Sequence, residues 1–149
     1  MPKSIKFYGR LYAFQFLYQG IRLDSINQDE FQDSINEFEV SLETILEEQN
    51  LKGHLNKSSK ELGKITIENF IKENEIVYKE ISSFMHRNNF DNLTKVEQTI
   101  LMLGYYELKF TKDSFSEIIN DYINIAKIYG KQDSYSIING VLDSAKKSI

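Results

Sequence analysis

The first residues of the chain combine basic and aromatic side chains that can bind a nucleic acid. Residues 1–23 contain four cations and no acid, and the cations are Lys3, Lys6, Arg10 and Arg22. Ammonium and guanidinium groups bind phosphates, and tyrosine rings stack on unpaired bases. The region therefore suits a polyanion such as RNA. Core aromatics with solvated lysines give the same pattern, and composition alone favours that simpler interpretation.

The acidic side chains are concentrated in the next segment of the chain. Residues 24–50 contain nine aspartates and glutamates and no lysine or arginine. The net charge of the 149 residues is -4, which argues against a protein that coats nucleic acid by bulk charge. We expect the acidic segment to face water or a basic partner.

An enzyme needs a constellation of reactive groups, and the sequence does not contain one. Cysteine is absent, which excludes disulfides and thiolate metal sites. The two histidines, His54 and His86, are not at a metal-binding spacing such as H-x-x-x-H. The chain also lacks a G-x-S-x-G nucleophile motif, a phosphate loop and a G-x-G-x-x-G motif. We therefore predict a binding protein that is not an enzyme and has no metal or cofactor.

The sequence predicts neither a membrane segment nor an export signal. A membrane helix needs roughly 18 apolar residues in a row, and the chain has no such run. Its N-terminus lacks an apolar core with a small-residue cleavage site. Together with the lack of cysteine, this fits a protein of a reducing compartment without a membrane partner.

The basic and aromatic residues at the start of the chain lie on a predicted helix, 4–19, for which Gly20 is the expected C-cap. One face is an apolar stripe formed by Phe7, Leu11, Phe14 and Tyr18. A second face is aromatic and polar and is formed by Tyr8, Tyr12, Gln15 and Gln19. This second face and the basic start of the helix are the parts that can meet RNA.

Two further helices are predicted before the middle of the chain. The first covers 28–49, has Ser25 or Asn27 as its N-cap, and carries its acids on a solvated outer face. Residues 50–65 are polar and contain two glycines, so they are predicted to form a loop. Thr66 is the expected cap of the next helix, 67–86, which ends at the asparagine pair 88–89.

The stretch 94–108 is predicted to form the helix on which the other elements pack. Thr94 and Glu97 form a Ser/Thr-x-x-Glu capping box at its start. The apolar residues that follow cover nearly its whole circumference: Val96, Ile100, Leu101, Met102, Leu103, Tyr105, Tyr106 and Leu108. A soluble helix that is apolar all round is normally buried by neighbours on several sides.

The last third of the chain predicts two more helices. Ser114 and Glu117 form a second capping box, Gly130 closes that helix, and Asp133 caps the final one. The sequence shows no strand pattern and no repeat. The predicted fold is all-α, with two small antiparallel helical bundles that share one core. The expected subdomains are about residues 1–88 and about residues 89–149.

Several motifs resemble those of the transcription antitermination factor NusB family. The first is 93–101, LTKVEQTIL, followed by YEL at 106–108. The others are IND at 119–121, IAKIYG at 125–130, DS at 133–134 and NGVLD at 139–143. Arg10, Ala13, Gln15, Leu17 and Tyr18 match the spacing of the family's first helix. These matches extend from residue 10 to residue 143, with weaker agreement over 21–90.

The resemblance implies an all-helical, bacterial, cytoplasmic protein that pairs with NusE, a small-subunit ribosomal protein. It implies that the pair binds the boxA element of nascent RNA. In this way the pair would act with the transcription elongation complex in antitermination on ribosomal RNA operons.

The same resemblance implies specific site residues. Lys3, Lys6 and Arg10 fall in the basic RNA-binding region, and Tyr18 falls where an aromatic or hydroxyl group contacts RNA. The positions of the family's partner-facing acids are occupied by Asp91, Glu97 and Asp133. Acids suit this role because ribosomal proteins are usually basic. Glu97 is also a capping-box residue, so it can serve both roles only if its side chain stays accessible.

Some positions depart from the family pattern. Residues 7–9 interrupt the basic arm, Gln98 and Met102 stand where arginine is common, and Ile137 stands where an aromatic can lie. These changes predict weak RNA affinity without the protein partner.

Two other functions remain open at this stage. One is an interaction module that has lost RNA recognition and forms a homodimer through Tyr12, Phe16 and Tyr18. The other is the helical appendage of an rRNA methyltransferase, which ranks last because the sequence to Ile149 has no cofactor-binding domain.

Overall fold

All the regular secondary structure is helical over the residues that the structure, a computed structural model, describes: 3–19, 28–51, 55–85 and 90–149. The helices are α1 (Ile5–Tyr18), α2 (Gln28–Glu48), α3 (Lys57–Ser83), α4 (Lys95–Phe110), α5 (Phe115–Tyr129) and α6 (Ser134–Lys146). A short 3₁₀ turn, Phe90–Asn92, precedes α4. The predicted all-α class is confirmed. None of these helices is long and apolar enough to span a membrane.

The chain divides into two compact units, an N-terminal unit of Met1–Ile71 and a C-terminal unit of Lys72–Ile149. Helix α3 runs from the first unit into the second. The division expected from the sequence, near residue 88, stays a prediction. The expected caps Gly20, Ser25 and Asn27, the helix end at Asn88–Asn89 and both histidines lie outside the described residues.

Helix α1 begins as the sequence predicts and is deeply buried. Ser4 is its N-cap, and the Ser4 Oγ accepts a hydrogen bond from the Phe7 backbone N–H at 3.0 Å. All residues from 7 to 16 are buried. Of the two interpretations, core aromatics, which composition favoured, is confirmed for Tyr8 and Tyr12. The alternative, an accessible aromatic and polar second face, was wrong for Tyr8, Tyr12 and Gln15, which are all buried.

The buried Tyr12 hydroxyl obtains its hydrogen bond from a residue that the sequence placed in solvent. It donates to Glu39 Oε1 of α2 at 2.7 Å, and Lys64 Nζ of α3 lies 3.4 Å from the same oxygen. A buried phenol needs such a partner because desolvation without a hydrogen bond is costly. Burial and the adjacent carboxylate raise the pKa of Tyr12. Glu39 is therefore a structural acid, and the expectation that every α2 acid lies on a solvated face was wrong.

Helix α3 starts ten residues before the predicted start at 67, so the predicted loop over 50–65 was wrong from Lys57 onward. The cap is a reciprocal pair. Ser59 N–H donates to Asn56 Oδ1 at 2.9 Å, and Asn56 N–H donates to Ser59 Oγ at 2.9 Å. Thr66 is not a cap, because it lies inside α3 and its hydroxyl donates to the Leu62 carbonyl at 2.9 Å.

Gly63 belongs to helix packing and not to a loop. A Cβ built at this position would lie 2.5 Å from Cδ1 of Tyr12 and 2.8 Å from its Cβ and Cγ. Only a residue without a side chain lets α3 approach the Tyr12 ring this closely. A glycine that the sequence presented as a loop marker is thus a contact point between α1 and α3.

In the C-terminal unit, α4 packs with α5 and α6, as predicted for the central helix. The capping box is complete: Glu97 N–H donates to Thr94 Oγ1 at 3.2 Å, and Thr94 N–H donates to Glu97 Oε1 at 3.0 Å. The predicted core residues of α4 are buried, except for the half-buried Met102. Inside the unit the Tyr122 hydroxyl donates to the buried Glu107 carboxylate at 2.5 Å.

Candidate nucleic-acid and partner interface

The N-terminal turn of α1 brings together two of the predicted RNA-binding lysines. Lys3 and Lys6 are both exposed, and the Lys3 ammonium lies 5.3 Å from the centre of the Phe7 ring. The first turn of α1 contains no acid. The partly unpaired N–H groups and the dipole of a helix N-terminus add to the positive potential there. The combination is suited to phosphate groups.

The other two predicted RNA-binding residues are placed differently. Arg10 is only 3% exposed, so its guanidinium group belongs largely to the interior. Tyr18, in the last turn of α1, is partly exposed, and its ring stacks on Phe14 with centroids 5.4 Å apart and planes 12° apart. Since Phe14 is fully buried, it provides a fixed platform for the Tyr18 ring. Lys3 and Lys6 thus lie at one end of α1 and Tyr18 at the other.

A shallow hollow of about 240 Å³ lies beside the last turn of α1 in the N-terminal unit. Its lining consists of Gln19, Ser34, Glu37, Phe38 and Ser41. This lining offers hydroxyl and amide groups and the Glu37 carboxylate, but it does not bring together a nucleophile and a base. The hollow is a surface depression with polar groups and the Phe38 ring, next to Gln19 at the end of α1.

Asp91, the first predicted partner-facing acid, is exposed on the 3₁₀ turn before α4. The Tyr78 hydroxyl of α3 donates to Asp91 Oδ1 at 2.8 Å, and the Tyr78 ring packs edge-on against Phe90 with centroids 5.4 Å apart. Donation to the carboxylate raises the pKa of Tyr78. Tyr78 is itself 43% exposed, so it both orients Asp91 and adds aromatic surface beside it. Sequence reasoning gave Tyr78 no role.

Glu97, the second predicted acid, lies in the interior and is 1% exposed. Its Oε1 accepts the Thr94 N–H of the capping box, and its Oε2 accepts the Ser134 hydroxyl at 2.6 Å. Glu97 could both cap α4 and contact a partner only with an accessible side chain, and this side chain is not accessible. A direct partner contact by Glu97 stays a prediction that requires the carboxylate to become exposed.

Asp133, the third predicted acid, is exposed between α5 and α6. Its side chain is 69% exposed, and its Oδ1 lies 4.0 Å from Lys131 Nζ. It occupies the N-cap position of α6, but the predicted capping by its side chain was wrong, because that side chain makes no cap hydrogen bond. Its carbonyl accepts the Ser136 N–H at 3.2 Å instead. Its carboxylate is therefore exposed and takes no part in capping α6.

The structure joins two of the predicted acidic positions through a residue without a predicted role. Ser134, directly after Asp133, is fully buried and donates to Glu97. Its position in the Asp-Ser motif is the only sequence signal that could have indicated it. Gln98, which stands where the family often has arginine, donates from Nε2 to the Phe90 carbonyl at 3.0 Å. Gln98 therefore supports the turn that carries Asp91.

A partly buried cluster of Glu80, Tyr105 and Lys109 was also missed by sequence reasoning. Tyr105 Oη donates to Glu80 Oε2 at 2.7 Å, and Lys109 Nζ is 2.5 Å from each oxygen of that carboxylate. These donors hold the pKa of Glu80 below its ordinary value, with the Lys109 hydrogen bond as the main cause. The cluster ties α3 to α4 within the C-terminal unit. Among the residues that the structure describes, no three His, Asp or Glu side chains are grouped as a metal site.

Comparison with known proteins gives a consistent result over nearly the whole chain. The family model described as the NusB family matches residues 9–147. Lys3 and Lys6 precede the matched residues, whereas Arg10, Tyr18 and the three acids lie within them. The resemblance that the sequence motifs indicated is confirmed.

The chain is similar to several proteins named transcription antitermination protein NusB. It is 48% identical over 61 residues to that of Pseudoalteromonas translucida, which is 40% of this chain and 45% of the relative. It is 43% identical over 79 residues to that of Haemophilus influenzae strain PittEE, covering 52% of this chain and 51% of the relative. The match to Methylacidiphilum infernorum is 35% over 89 residues, 56% of this chain and 62% of the relative. The chain spans about half the length of the first two relatives.

Solved structures share the fold over almost the full length of the chain. NusB of T. maritima superposes with a TM-score of 0.68 at 29% identity, and the match covers 99% of this chain and 93% of that one. NusB from Aquifex aeolicus gives a TM-score of 0.71 at 24% identity, with 98% and 90% covered. A chain in the crystal structure of antitermination factors NusB and NusE with double-stranded RNA gives 0.72 at 23% identity, with 97% and 98% covered.

Proposed function

This chain belongs to the NusB family, and on that premise we propose that it is an RNA-binding transcription antitermination factor. It pairs with the ribosomal protein NusE and binds boxA RNA in transcripts of ribosomal RNA operons. It works in the bacterial cytoplasm with the transcription elongation complex, and it is not an enzyme. The observation that carries the proposal is the family match over residues 9–147 together with an exposed basic turn at the start of α1.

RNA binding is assigned to the surface of α1. The exposed ammonium groups of Lys3 and Lys6 meet phosphates at the N-terminus of the helix, and Tyr18 offers an aromatic ring to a base. Arg10 contributes mainly from the interior because it is 3% exposed. With a net charge of -4 and few accessible cations on α1, binding to RNA depends on the protein partner.

Partner binding is assigned to the acids Asp91 and Asp133 of the C-terminal unit. Both are exposed, and Asp91 is oriented by Tyr78. An exposed acid beside an exposed aromatic ring is a favourable contact for a basic partner, because such a site combines charge complementarity with apolar area. NusE suits such a surface because ribosomal proteins are usually basic.

The RNA assignment is tested by titrating a boxA RNA with the chain, with and without NusE, at two salt concentrations. We expect NusE to increase the affinity and added salt to reduce it. The slope of log K against log salt is negative, and the double variant Lys3→Ala and Lys6→Ala should make it less steep by about 1.4–1.8. Each lost phosphate contact contributes roughly 0.7–0.9 to the steepness. NusE binding itself should be unchanged.

The matched control is Lys112→Ala, which removes an exposed lysine from the turn between α4 and α5. It changes the net charge in the same direction without touching α1, so it should leave the salt slope near that of the wild type. RNA binding that neither NusE nor salt affects would overturn the RNA function. An equal loss in the Lys112 variant would overturn the assignment to α1.

The partner assignment is tested by NusE titration in the absence of RNA. Asp91→Asn and Asp133→Asn should each weaken NusE binding roughly fivefold, because each removes one charge from the docking surface. The control Asp33→Asn removes an exposed acid from α2 and should leave the affinity within a factor of two. Equal effects of all three variants would mean that net charge, and not this surface, attracts NusE.

A second candidate function is an interaction module that has lost RNA recognition, and the burial of Arg10 is the observation that favours it. NusE binding without any RNA affinity would identify this function. The homodimer surface expected from the sequence is reduced to Tyr18 in the folded chain, because Tyr12 and Phe16 are both 0% exposed.

A further inference from the structure

The buried carboxylate of Glu97 has two hydrogen-bond partners in two different elements. Oε1 accepts the Thr94 N–H at the start of α4, and Oε2 accepts the Ser134 hydroxyl at the start of α6. A carboxylate that is 1% exposed is tolerated only when it is well hydrogen-bonded. Glu97 therefore connects the capping box of α4 to the turn between α5 and α6.

Ser134 continues this connection into the turn itself. Its Oγ accepts the Lys131 N–H at 3.1 Å, and its own N–H donates to the Lys131 carbonyl at 3.1 Å. A hydroxyl has one hydrogen and two lone pairs, so donation to Glu97 leaves the lone pairs for Lys131. The turn of residues 131–134 is closed from both ends, and it carries the exposed Asp133.

The residue before this turn is a glycine for a steric reason. A Cβ at Gly130 would lie 2.7 Å from Ser134 Cβ, 2.8 Å from Ser134 Oγ and 2.7 Å from the Ala126 carbonyl oxygen. Any side chain at 130 must displace Ser134 or the end of α5. Gly130 thus keeps the space in which the Ser134 hydroxyl reaches both Glu97 and Lys131.

We propose that Glu97 and Ser134 form a latch that holds the turn of residues 131–134 in the shape that presents Asp133 to a basic partner. This inference rests on the proposed pairing with NusE. Glu97 is then a positioning residue that acts through Ser134, and Asp133 is the residue that touches the partner. The role differs from the direct contact that the sequence predicted for Glu97.

The latch is tested first in the free, full-length chain by amide hydrogen exchange. Ser134→Ala removes the acceptor of the Lys131 N–H, so exchange of that amide should accelerate roughly tenfold. Gly130→Ala should have the same effect by displacing Ser134, although it removes no hydrogen-bonding group. Gly140→Ala on α6 is the matched control, because a Cβ there has no atom within 4 Å and should leave the Lys131 amide unchanged.

A third variant separates the latch from a direct contact by Glu97. In Glu97→Gln the amide oxygen is needed for the Thr94 N–H, so the side-chain NH₂ group faces Ser134 and the hydroxyl loses its acceptor. The Lys131 amide should then exchange faster. If Glu97→Gln weakens NusE binding while Lys131 exchange stays at the wild-type rate, Glu97 contacts the partner itself and the latch is wrong.

The link between the latch and Asp133 is tested by a double-mutant cycle with NusE. Asp133→Asn should weaken binding roughly fivefold in the wild type and less than about twofold in the Ser134→Ala background. Asp91→Asn, which lies outside the latch, should weaken binding equally in both backgrounds. A purely stabilising role of Ser134 predicts additive effects of Asp133→Asn and Ser134→Ala, and additivity would overturn the inference.

The two measurements separate this inference from the proposed function. A wild-type chain that does not bind NusE overturns the proposed function and the presentation of Asp133 together. Unchanged Lys131 exchange in Ser134→Ala and Gly130→Ala overturns the latch even if NusE binds normally.

Discussion

Replacing Gly63 with alanine tests the close approach of α1 and α3 in the N-terminal unit. The new Cβ would lie 2.5 Å from Tyr12 Cδ1, and the nearest ring atoms belong to a side chain that is 0% exposed and cannot swing into solvent. Overpacking a core in this way costs about 1–3 kcal/mol. The higher helix propensity of alanine offsets about 1 kcal/mol of that cost. We expect the free energy of unfolding to fall by up to about 2 kcal/mol.

The matched control is the same substitution at Gly140 in α6, where a Cβ meets no atom within 4 Å. There only the gain in helix propensity remains, so Gly140→Ala should stabilise the protein by about 0.5–1 kcal/mol. Both variants can be compared by urea denaturation followed by far-UV circular dichroism. If Gly63→Ala is as stable as Gly140→Ala, α3 does not pack on the Tyr12 ring. That result would refute the steric explanation of Gly63.

Three further variants test single interactions. Tyr12→Phe removes the hydrogen bond to Glu39 and should lower the free energy of unfolding in urea by about 1 kcal/mol, whereas an unchanged value would mean that water replaces this bond. Thr94→Ala removes the cap of α4 and should cost about 1 kcal/mol in the same assay, with an unchanged urea midpoint as the contrary result. Lys109 and Tyr105 lower the pKa of Glu80 in the folded chain. The Glu80 carboxylate therefore stabilises the fold fully at a pH above its ordinary pKa of about 4.3. This stabilisation is lost as the pH falls through the lowered pKa. In Glu80→Gln the free energy of unfolding should fall less steeply as the pH is lowered below about 4.3. The same pH dependence in both proteins would contradict this effect.

The helix starts that depend on neighbouring residues were predictable from the sequence. Thr94 with Glu97, Ser114 with the Glu117 N–H, and Ser4 with the Phe7 N–H each form within four consecutive residues. Such bonds depend on the local backbone alone, so their residue types identify them. The cap of α3, Asn56 with Ser59, is equally local, but the start of this helix was missed because Gly53 and Gly63 indicated a loop.

The candidate site was predictable only in part. The basic start of α1 and the exposed acids Asp91 and Asp133 lie at the surface, where a charged residue type alone is a good guide. Arg10 and Glu97 were harder, because charged residues are rarely interior, and both are. Tyr78 carried no signal, and Ser134 carried only its place in the Asp-Ser motif, since each acts on a residue that is distant in sequence or in another element.

By itself, the sequence determined the helical class, the caps of α4 and α5 and the membership of a family, because these follow from local hydrogen bonds, apolar periodicity and motifs along the chain. The tertiary structure decided which polar groups are interior and what they hold. The Glu97 carboxylate meets Ser134 across 37 positions of the sequence, and the Tyr12 hydroxyl meets Glu39 across 27. Whether such groups face water or each other depends on how the helices pack, and packing is a property of distant residues brought together.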